Sequence, residues 1–255
     1  MKKLSAKRRA YGALMLTLMG LCTALVVALV LFLIFYVLIR GIPNITPQLL
    51  FTAPSVIEDR IGILPDILNT LYLVLATLAI VLPLGVGVLA GIPSVVYGLV
   101  GMLVLVPGVR RVFGLADGAS LLAAIIVLGV MILPSIIKMS VTALEAVPKE
   151  YEDASLALGA TPVETYFRVS VPAAKSGIAA AVVLGVGRAI GEAMAVMMVS
   201  GNACNMPSLF ESVRFLTTAV ASEMSYAGGL QRQALFSIAL VLYLFILLIN
   251  ATLNF

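Results

Sequence analysis

The segment YGALMLTLMGLCTALVVALVLFLIFYVLI, residues 11–39, is 29 residues long and carries no charged side chain. A membrane-spanning helix needs about 20 consecutive, mostly apolar residues, so this segment is long enough to cross a bilayer. It is also too long for the apolar part of a secretory signal peptide, and no small-residue cleavage site accompanies it. We therefore predict an uncleaved first transmembrane helix over residues 11–39.

The composition of the whole chain also indicates a membrane protein. Of its 255 residues, 62% are hydrophobic and 11% are charged, whereas ordinary soluble domains have roughly 25% charged residues. A soluble protein of this length cannot bury so much apolar surface in one core. The absence of histidine excludes a Ser-His-Asp triad and His-ligated metal sites. We predict an all-α, polytopic membrane protein and assign it no catalytic residue, metal site or cofactor.

Further apolar segments bring the number of predicted spans to six. Residues 67–109 form a charge-free stretch of 43 residues, about twice the length that one spanning helix needs. Three glycines and a proline cluster over residues 85–93 and predict a break there. We expect helices over about 64–89 and 93–107, the second being short for a full span. The other predicted spans are residues 118–137, 176–200 and 233–255.

The distribution of Lys and Arg predicts the orientation. The N-terminal tail, residues 1–10, carries five basic residues, and cytoplasmic segments of membrane proteins are enriched in such residues. With six spans, residues 138–175 and both termini face the cytoplasm. Nine of the 16 basic residues then lie on inner segments and six on outer segments, while Arg188 lies within a span. The positive charge thus reflects topology in a lipid bilayer, and we expect no nucleic-acid partner.

The polar segment 138–175 contains signals for two short helices. Pro148 can begin a helix because its missing N–H would be unpaired there, and Gly159 supplies a left-handed stop. Thr161 suits the N-cap of a second helix, with Glu164 at the third position of a capping box. We expect Pro172 to limit this second helix.

Two alternatives are open for this segment. It is either a solvated loop between spans or a stiff projection that docks a cytoplasmic partner. In the second case Tyr166 and Phe167, on the second short helix, would be exposed and fill a pocket of the partner, as interface anchors do.

The spacing in this loop resembles the EAA loop of ABC importer membrane subunits. That pattern runs Glu-Ala-Ala, three residues, Gly, nine residues, Ile-x-Leu-Pro. Here Asp153-Ala154-Ser155 precedes Gly159, and Val169-Ser170-Val171-Pro172 follows with the spacing intact. The resemblance implies a type I importer (MetI-like) membrane domain over residues 64–255. It also implies that the 138–175 loop couples to an ATPase through Asp153, Ala154, Gly159, Tyr166, Phe167 and Pro172.

Three more segments are similar to the membrane subunits of bacterial phosphate importers. They are AGIPSVVYG at 90–98, GRAIGEAMAV at 187–196, and motifs within 207–236 that resemble the PstC type more than the PstA type. The resemblance implies phosphate as the substrate and the bacterial inner membrane as the location. It further implies three partners: a second permease subunit forming a heterodimer, a cytoplasmic ABC ATPase dimer and an extracytoplasmic phosphate-binding protein.

The chain itself is not expected to be an enzyme. It contains no Gly-x-x-x-x-Gly-Lys-Ser/Thr loop for ATP, so ATP hydrolysis would belong to a separate subunit. A membrane enzyme acting on lipid or peptide is the competing class, but Glu192 is the one clear acid within the predicted spans. By chemistry alone sulfate or molybdate would suit Arg188 as well as phosphate does.

One departure from the phosphate importers concerns residues 88–93. The same resemblance implies that, in the family, a basic cytoplasmic segment of about two dozen residues precedes the Gly-Ile-Pro-Ser motif. Here Val88-Leu89-Ala90 runs directly into Gly91. Either the chain makes a very tight inner turn, or it is a non-transporting remnant.

Arg188 and Glu192 are charged residues within a predicted span. Four residues apart, they are expected on one face of a continuous helix. Each costs about 2.5–3.5 kcal/mol near the bilayer centre unless it is paired or faces water. The pair is either a self-neutralised structural element or part of the substrate path. In the second case the planar fork of Arg188 suits a phosphate oxyanion, and the resemblance implies a transport role for both residues.

Overall fold

The computed structural model describes residues 6–55, 61–84 and 92–253 of the chain. Over these ranges the regular secondary structure is helical, without β-strands, which confirms the all-α prediction. The helices are α1 (Ala6–Gly41), α2 (Pro47–Phe51), α3 (Leu64–Leu84), α4 (Ser94–Phe113), α5 (Leu121–Glu145), α6 (Lys149–Ala157), α7 (Pro162–Ala173), α8 (Lys175–Gly191), α9 (Met194–Ser200), α10 (Leu216–Glu223) and α11 (Gly229–Leu253). A five-residue π turn lies within α4 and another within α7.

Several of these helices have the length and apolarity of membrane spans. Within the described ranges, four qualify on their own, and they lie in α1, α4, α5 and α11. Helices α7 and α8 are joined at a bend of 68° and together give a fifth. Helix α3 contributes a shorter apolar section, Leu64–Ala79. The polytopic class is therefore confirmed, and helix covers most of the described residues in each of the six predicted spans.

The predicted helix over 93–107 is too short. Helix α4 begins at Ser94, directly after Pro93, and continues to Phe113. Gly114 ends it with a left-handed φ of 65°. Arg110 lies in its last turn, where a cation is favoured by the helix dipole, so the charge did not end the helix as the sequence suggested. The tight turn expected at residues 88–93 falls mostly outside the described residues.

Helix α5 lies at the centre of the bundle. Leu128 and Ile132 on this helix are fully buried, in a core that includes side chains of α3, α8 and α9. The apolar residues of α5 surround its axis, and such a helix is stable only when other elements cover most of its surface. Helix α5 therefore provides the fixed surface against which the polar groups of the site are positioned.

Helix α1 packs against α11 at the edge of the bundle. The Tyr36 and Phe236 rings meet edge to face at 5.6 Å between centroids. The Ser237 hydroxyl donates to the Gly41 carbonyl at 2.8 Å. A Cβ at Gly41 would lie 2.8 Å from the Phe236 carbonyl oxygen, so glycine permits this close crossing. The rest of α1 is largely exposed in the isolated chain, as expected for a helix that faces lipid.

Candidate functional site

Arg188 is held by a neutral side chain of the central helix. Its Nη1 atom donates a hydrogen bond of 2.9 Å to the Ser135 hydroxyl oxygen on α5. The Arg188 side chain is exposed in the isolated chain, near the C-terminal end of α8. This single hydrogen bond to a neutral partner leaves most of the guanidinium donors available.

The close packing of α8 on α5 brings Arg188 and Ser135 within reach of each other. A Cβ at Gly185 would lie 2.5 Å from Ile136 on α5, and a Cβ at Gly177 would collide with the Ala143 side chain. Small residues allow this kind of approach between membrane helices. Gly187, by contrast, has open space where a Cβ would be.

Arg188 and Glu192 do not share the face of one helix, and that prediction is wrong. Helix α8 ends at Gly191, and Glu192 has the extended conformation φ −76°, ψ 125°. The Glu192 Oε1 atom accepts from the Ala195 N–H at 3.0 Å and so caps α9. The Glu192 carbonyl accepts from the Thr217 hydroxyl at 3.0 Å. These tertiary contacts hold a break where the sequence predicted a continuous span.

An ionic cluster that the sequence did not indicate, buried at Asp66 and partly exposed at Glu223, joins α3, α10 and the segment between α9 and α10. Arg214 Nη2 lies 2.9 Å from Asp66 Oδ2, and its Nε atom donates to both Asp66 oxygens at 3.1 Å. Its Nη1 atom donates to Glu223 Oε1 at 2.5 Å. Burial alone would lower the pKa of Arg214, but the hydrogen bonds and charge of Asp66 raise it above the ordinary value. We call Asp66, Arg214 and Glu223 the Arg214 cluster.

This cluster contains both ion pairs formed among the described residues. The fully buried Asn69 supports it by donating to the Arg214 carbonyl at 3.0 Å. Asp66 stands in the first turn of α3, where an acid is favoured by the helix dipole. That local preference was the available signal, because nothing in the sequence connects it with an arginine 148 residues away.

The two short helices predicted within 138–175 are confirmed. Helix α6 follows Pro148, and Gly159 has a φ of 89° in the left-handed region. Thr161 and Glu164 form the complete capping box at the start of α7. Hydrogen bonds from the Thr161 backbone and hydroxyl lower the pKa of Glu164 below its usual value.

Two side-chain hydrogen bonds hold α6 against α7. The Ser170 hydroxyl donates to Glu152 Oε1 at 2.8 Å. The Ser155 and Thr165 hydroxyls lie 2.9 Å apart. Ser155 occupies the position where the EAA pattern has its second alanine, so the substitution supplies a contact between the two helices.

The outer surface of this projection contains the remaining residues expected to couple to an ATPase. Asp153 and Ala154 are exposed. Tyr166 and Phe167 are 44% and 65% exposed, and their rings meet edge to face at 5.2 Å. Helix α7 continues to Ala173. Pro172 therefore lies in its last turn and does not end the helix, whereas the sequence predicted that it would. The π turn Tyr166–Ser170 precedes the proline, and the chain bends by 68° between Ala173 and Lys175.

The structure brings together few groups with metal-binding chemistry. Among the described residues, no three His, Cys, Asp or Glu side chains are close enough together to hold a metal ion. Cys22 is exposed and Cys204 half-buried, and both are free thiols. Burial raises the pKa of the Cys204 thiol.

The structure combines apolar helices long enough to span a membrane with a capped polar projection. The chain belongs to the family described as binding-protein-dependent transport system inner membrane component, which matches residues 7–255. It is therefore an ABC transporter permease and a component of the inner membrane.

Individual relatives agree with this family. The probable ABC transporter permease protein YqgH of Bacillus subtilis is 39% identical, over 77% of this chain and 73% of the relative. The phosphate transport system permease protein PstC of Haemophilus influenzae is 31% identical, over 73% of each chain. PstC of Pasteurella multocida is 35% identical, over 64% of this chain and 58% of the relative. The resemblance to PstC-type subunits is confirmed.

Solved structures agree on the fold. A chain of the MetNI methionine ABC transporter, in an inward-facing conformation, superposes with a TM-score of 0.54 at 21% identity. The match covers 73% of this chain and 88% of that chain. This confirms the MetI-like fold of the membrane domain.

Proposed function

We propose that this permease conducts inorganic phosphate and forms half of the translocation path with a second permease subunit. The observation that carries the proposal is the state of Arg188, a charged side chain exposed beside the central helix and bonded to a neutral hydroxyl. The PstC relatives support phosphate as the anion. A planar guanidinium can give two parallel hydrogen bonds to a phosphate oxyanion.

The exposure of Arg188 is informative because charge in a bilayer is costly. An arginine at the centre of a spanning helix costs about 2.5–3.5 kcal/mol unless it pairs with an acid or faces water. Glu192 does not neutralise it, since that carboxylate caps α9. A water-filled path shared with the second subunit would provide the hydration. In this arrangement Arg188 contacts the anion, and Glu192 tunes the site by holding the end of α8.

The 138–175 loop would transmit ATP-driven motion to this path. The Gly159 corner and the hydrogen bonds between α6 and α7 make the projection stiff. Asp153, Ala154, Tyr166 and Phe167 on its surface would enter the ATPase dimer, and the bend after Pro172 would pass the movement to α8. An extracytoplasmic phosphate-binding protein would deliver the substrate to the opposite side.

This arrangement requires both termini and the 138–175 loop in the cytoplasm. Single cysteines introduced at Glu164 and Tyr226, in a chain with Cys22 and Cys204 replaced by serine, test it. An impermeant thiol reagent should label the exposed Tyr226→Cys variant in intact cells and leave Glu164→Cys unlabelled. The reverse labelling would contradict the topology.

Phosphate uptake into vesicles that contain the assembled transporter tests the site. Arg188→Gln removes the charge, so uptake should collapse while the variant still assembles with its ATPase. Arg188→Lys should recover part of the activity, because a point charge replaces a two-pronged donor. Recovery of full uptake in the double variant Arg188→Gln, Glu192→Gln would show that the two residues are merely structural. Uptake of sulfate or molybdate in preference to phosphate would change the proposed substrate but keep Arg188 as the proposed anion contact.

A further inference from the structure

Resting on the proposed function, we infer that Ser135 is a second component of the anion site, where it positions Arg188 and offers its own hydroxyl to the anion. The Ser135 oxygen accepts from Arg188 Nη1 at 2.9 Å. A hydroxyl that accepts one hydrogen bond still has a proton to donate. No described residue accepts that proton, so it is free for an oxyanion beside the guanidinium.

The position of this hydroxyl is fixed by helix packing. Ser135 precedes Ile136, the residue that touches α8 at Gly185. Arg188 lies one turn beyond Gly185 on α8, so the contact between the glycine and the isoleucine sets the spacing of the serine and the arginine. Sites built on packed helices hold their groups more firmly than sites on loops.

The neutrality of Ser135 matters as much as its position. A carboxylate at this place would form an ion pair with Arg188 and cancel the charge that attracts the anion. The serine orients the guanidinium without neutralising it. The same chain shows the alternative at Arg214, where carboxylates occupy most of the donors.

Three substitutions at Ser135 test the inference by phosphate uptake into vesicles with the complete transporter. Ser135→Ala removes a hydrogen bond to a charged group and should lower uptake about tenfold. Ser135→Thr keeps the hydroxyl and should restore most of the activity. Ser135→Asp should abolish uptake as Arg188→Gln does, although the new ion pair leaves assembly intact. Ser140→Ala, on the same helix and also half-buried, is the matched control and should transport normally.

A double-mutant cycle separates this role from simple packing. In a chain that already has Arg188→Lys, Ser135→Ala should cause a smaller further loss than it causes alone, since the two residues act together. Equal losses in both backgrounds would overturn the inference, as would normal uptake by Ser135→Asp. If Arg188→Lys lowers uptake while Ser135→Ala matches Ser140→Ala, the inference fails and the proposed function stands. If Arg188→Gln and Arg188→Lys both transport normally, the proposed function itself fails.

Discussion

Two regions of the molecule combine an arginine with nearby acids, and they are built in opposite ways. In the Arg214 cluster, the Arg214 side chain is 11% exposed, and Asp66 and Glu223 accept from three of its nitrogens. At the end of α8, Arg188 is exposed and its hydrogen-bond partner is a serine. The acid nearest in sequence, Glu192, binds the backbone of α9 instead.

The difference shows how neighbours decide the use of one residue type. A buried arginine whose donors are occupied by carboxylates has little left for a ligand, and its removal strands the opposite charge. An exposed arginine with a neutral partner can attract an anion, and its removal leaves no opposite charge unpaired. We therefore expect the Arg214 cluster to determine stability and Arg188 to determine transport.

The largest effect on stability should come from breaking the Arg214 cluster. Asp66→Asn keeps the shape of the side chain but removes the main counter-charge of buried Arg214. Loss of one partner of a buried ion pair costs about 3–5 kcal/mol. Thermal unfolding of the purified variant in detergent should show a clear drop in the midpoint.

Arg188→Gln is the matched control for this prediction. Because the Arg188 side chain is exposed, its replacement should change the free energy of unfolding by less than about 0.5 kcal/mol. Equal destabilisation by Asp66→Asn and Arg188→Gln would remove the distinction between the two regions.

The two regions also differ in what the sequence could predict. The corner at Gly159 and the cap formed by Thr161 and Glu164 depend on residues a few positions apart, and local signals identified them. The break at Glu192 depends on the distant Thr217 and on a capping contact to Ala195. A glutamate in an apolar run is compatible with continuous helix, and the adjacent Gly191, where α8 ends, was the local signal that the prediction of a continuous span did not use.

The charged clusters show the same limit. Arg188 was identified because a charge in an apolar span is unusual, but its partner Ser135 lies 53 residues away. Arg214 stands in a polar connection, where charges are ordinary, so no local signal indicated its pairing with Asp66 and Glu223. Periodicity and composition predict which segments are helices, whereas the pairing of their side chains depends on tertiary packing.

A second prediction concerns the packing that supports Arg188. Gly177→Ala would press a new Cβ on the Ala143 side chain, which has no flexible end to move aside. Such overpacking costs about 1–3 kcal/mol. Since α8 would shift on α5, we expect lower thermal stability and lower uptake together. Gly187→Ala, where a Cβ meets open space, should be near normal in both. Equal effects of the two substitutions would contradict the packing argument.

The third prediction tests the stiffness of the 138–175 loop. Gly159→Val forces a β-branched residue into a left-handed φ of 89°, at a cost of about 1 kcal/mol or more. The corner between α6 and α7 should distort, so that less ATPase co-purifies while membrane insertion is unchanged. Gly159→Asn is the control, because asparagine tolerates this conformation better. Normal ATPase yield and uptake with Gly159→Val would exclude the docking role.

The smallest effect is expected at Glu192, and it is the sharpest test of the comparison. If the carboxylate serves mainly to cap α9, Glu192→Gln should preserve function, since the amide oxygen can still accept from the Ala195 N–H. The free energy of unfolding should then change by less than about 0.5 kcal/mol. Glu192→Ala removes the acceptor and should cost about 0.5–2 kcal/mol, as loss of a helix cap does.

Phosphate uptake by these two variants distinguishes a cap from a charge. A cap predicts normal uptake with Glu192→Gln and reduced stability with Glu192→Ala. A carboxylate that acts by its charge on Arg188 or on the anion predicts a different result for Glu192→Gln, which would be stable but poor in transport. That second result would show that the path uses an acid as the Arg214 cluster does, and the contrast between the two regions would be lost.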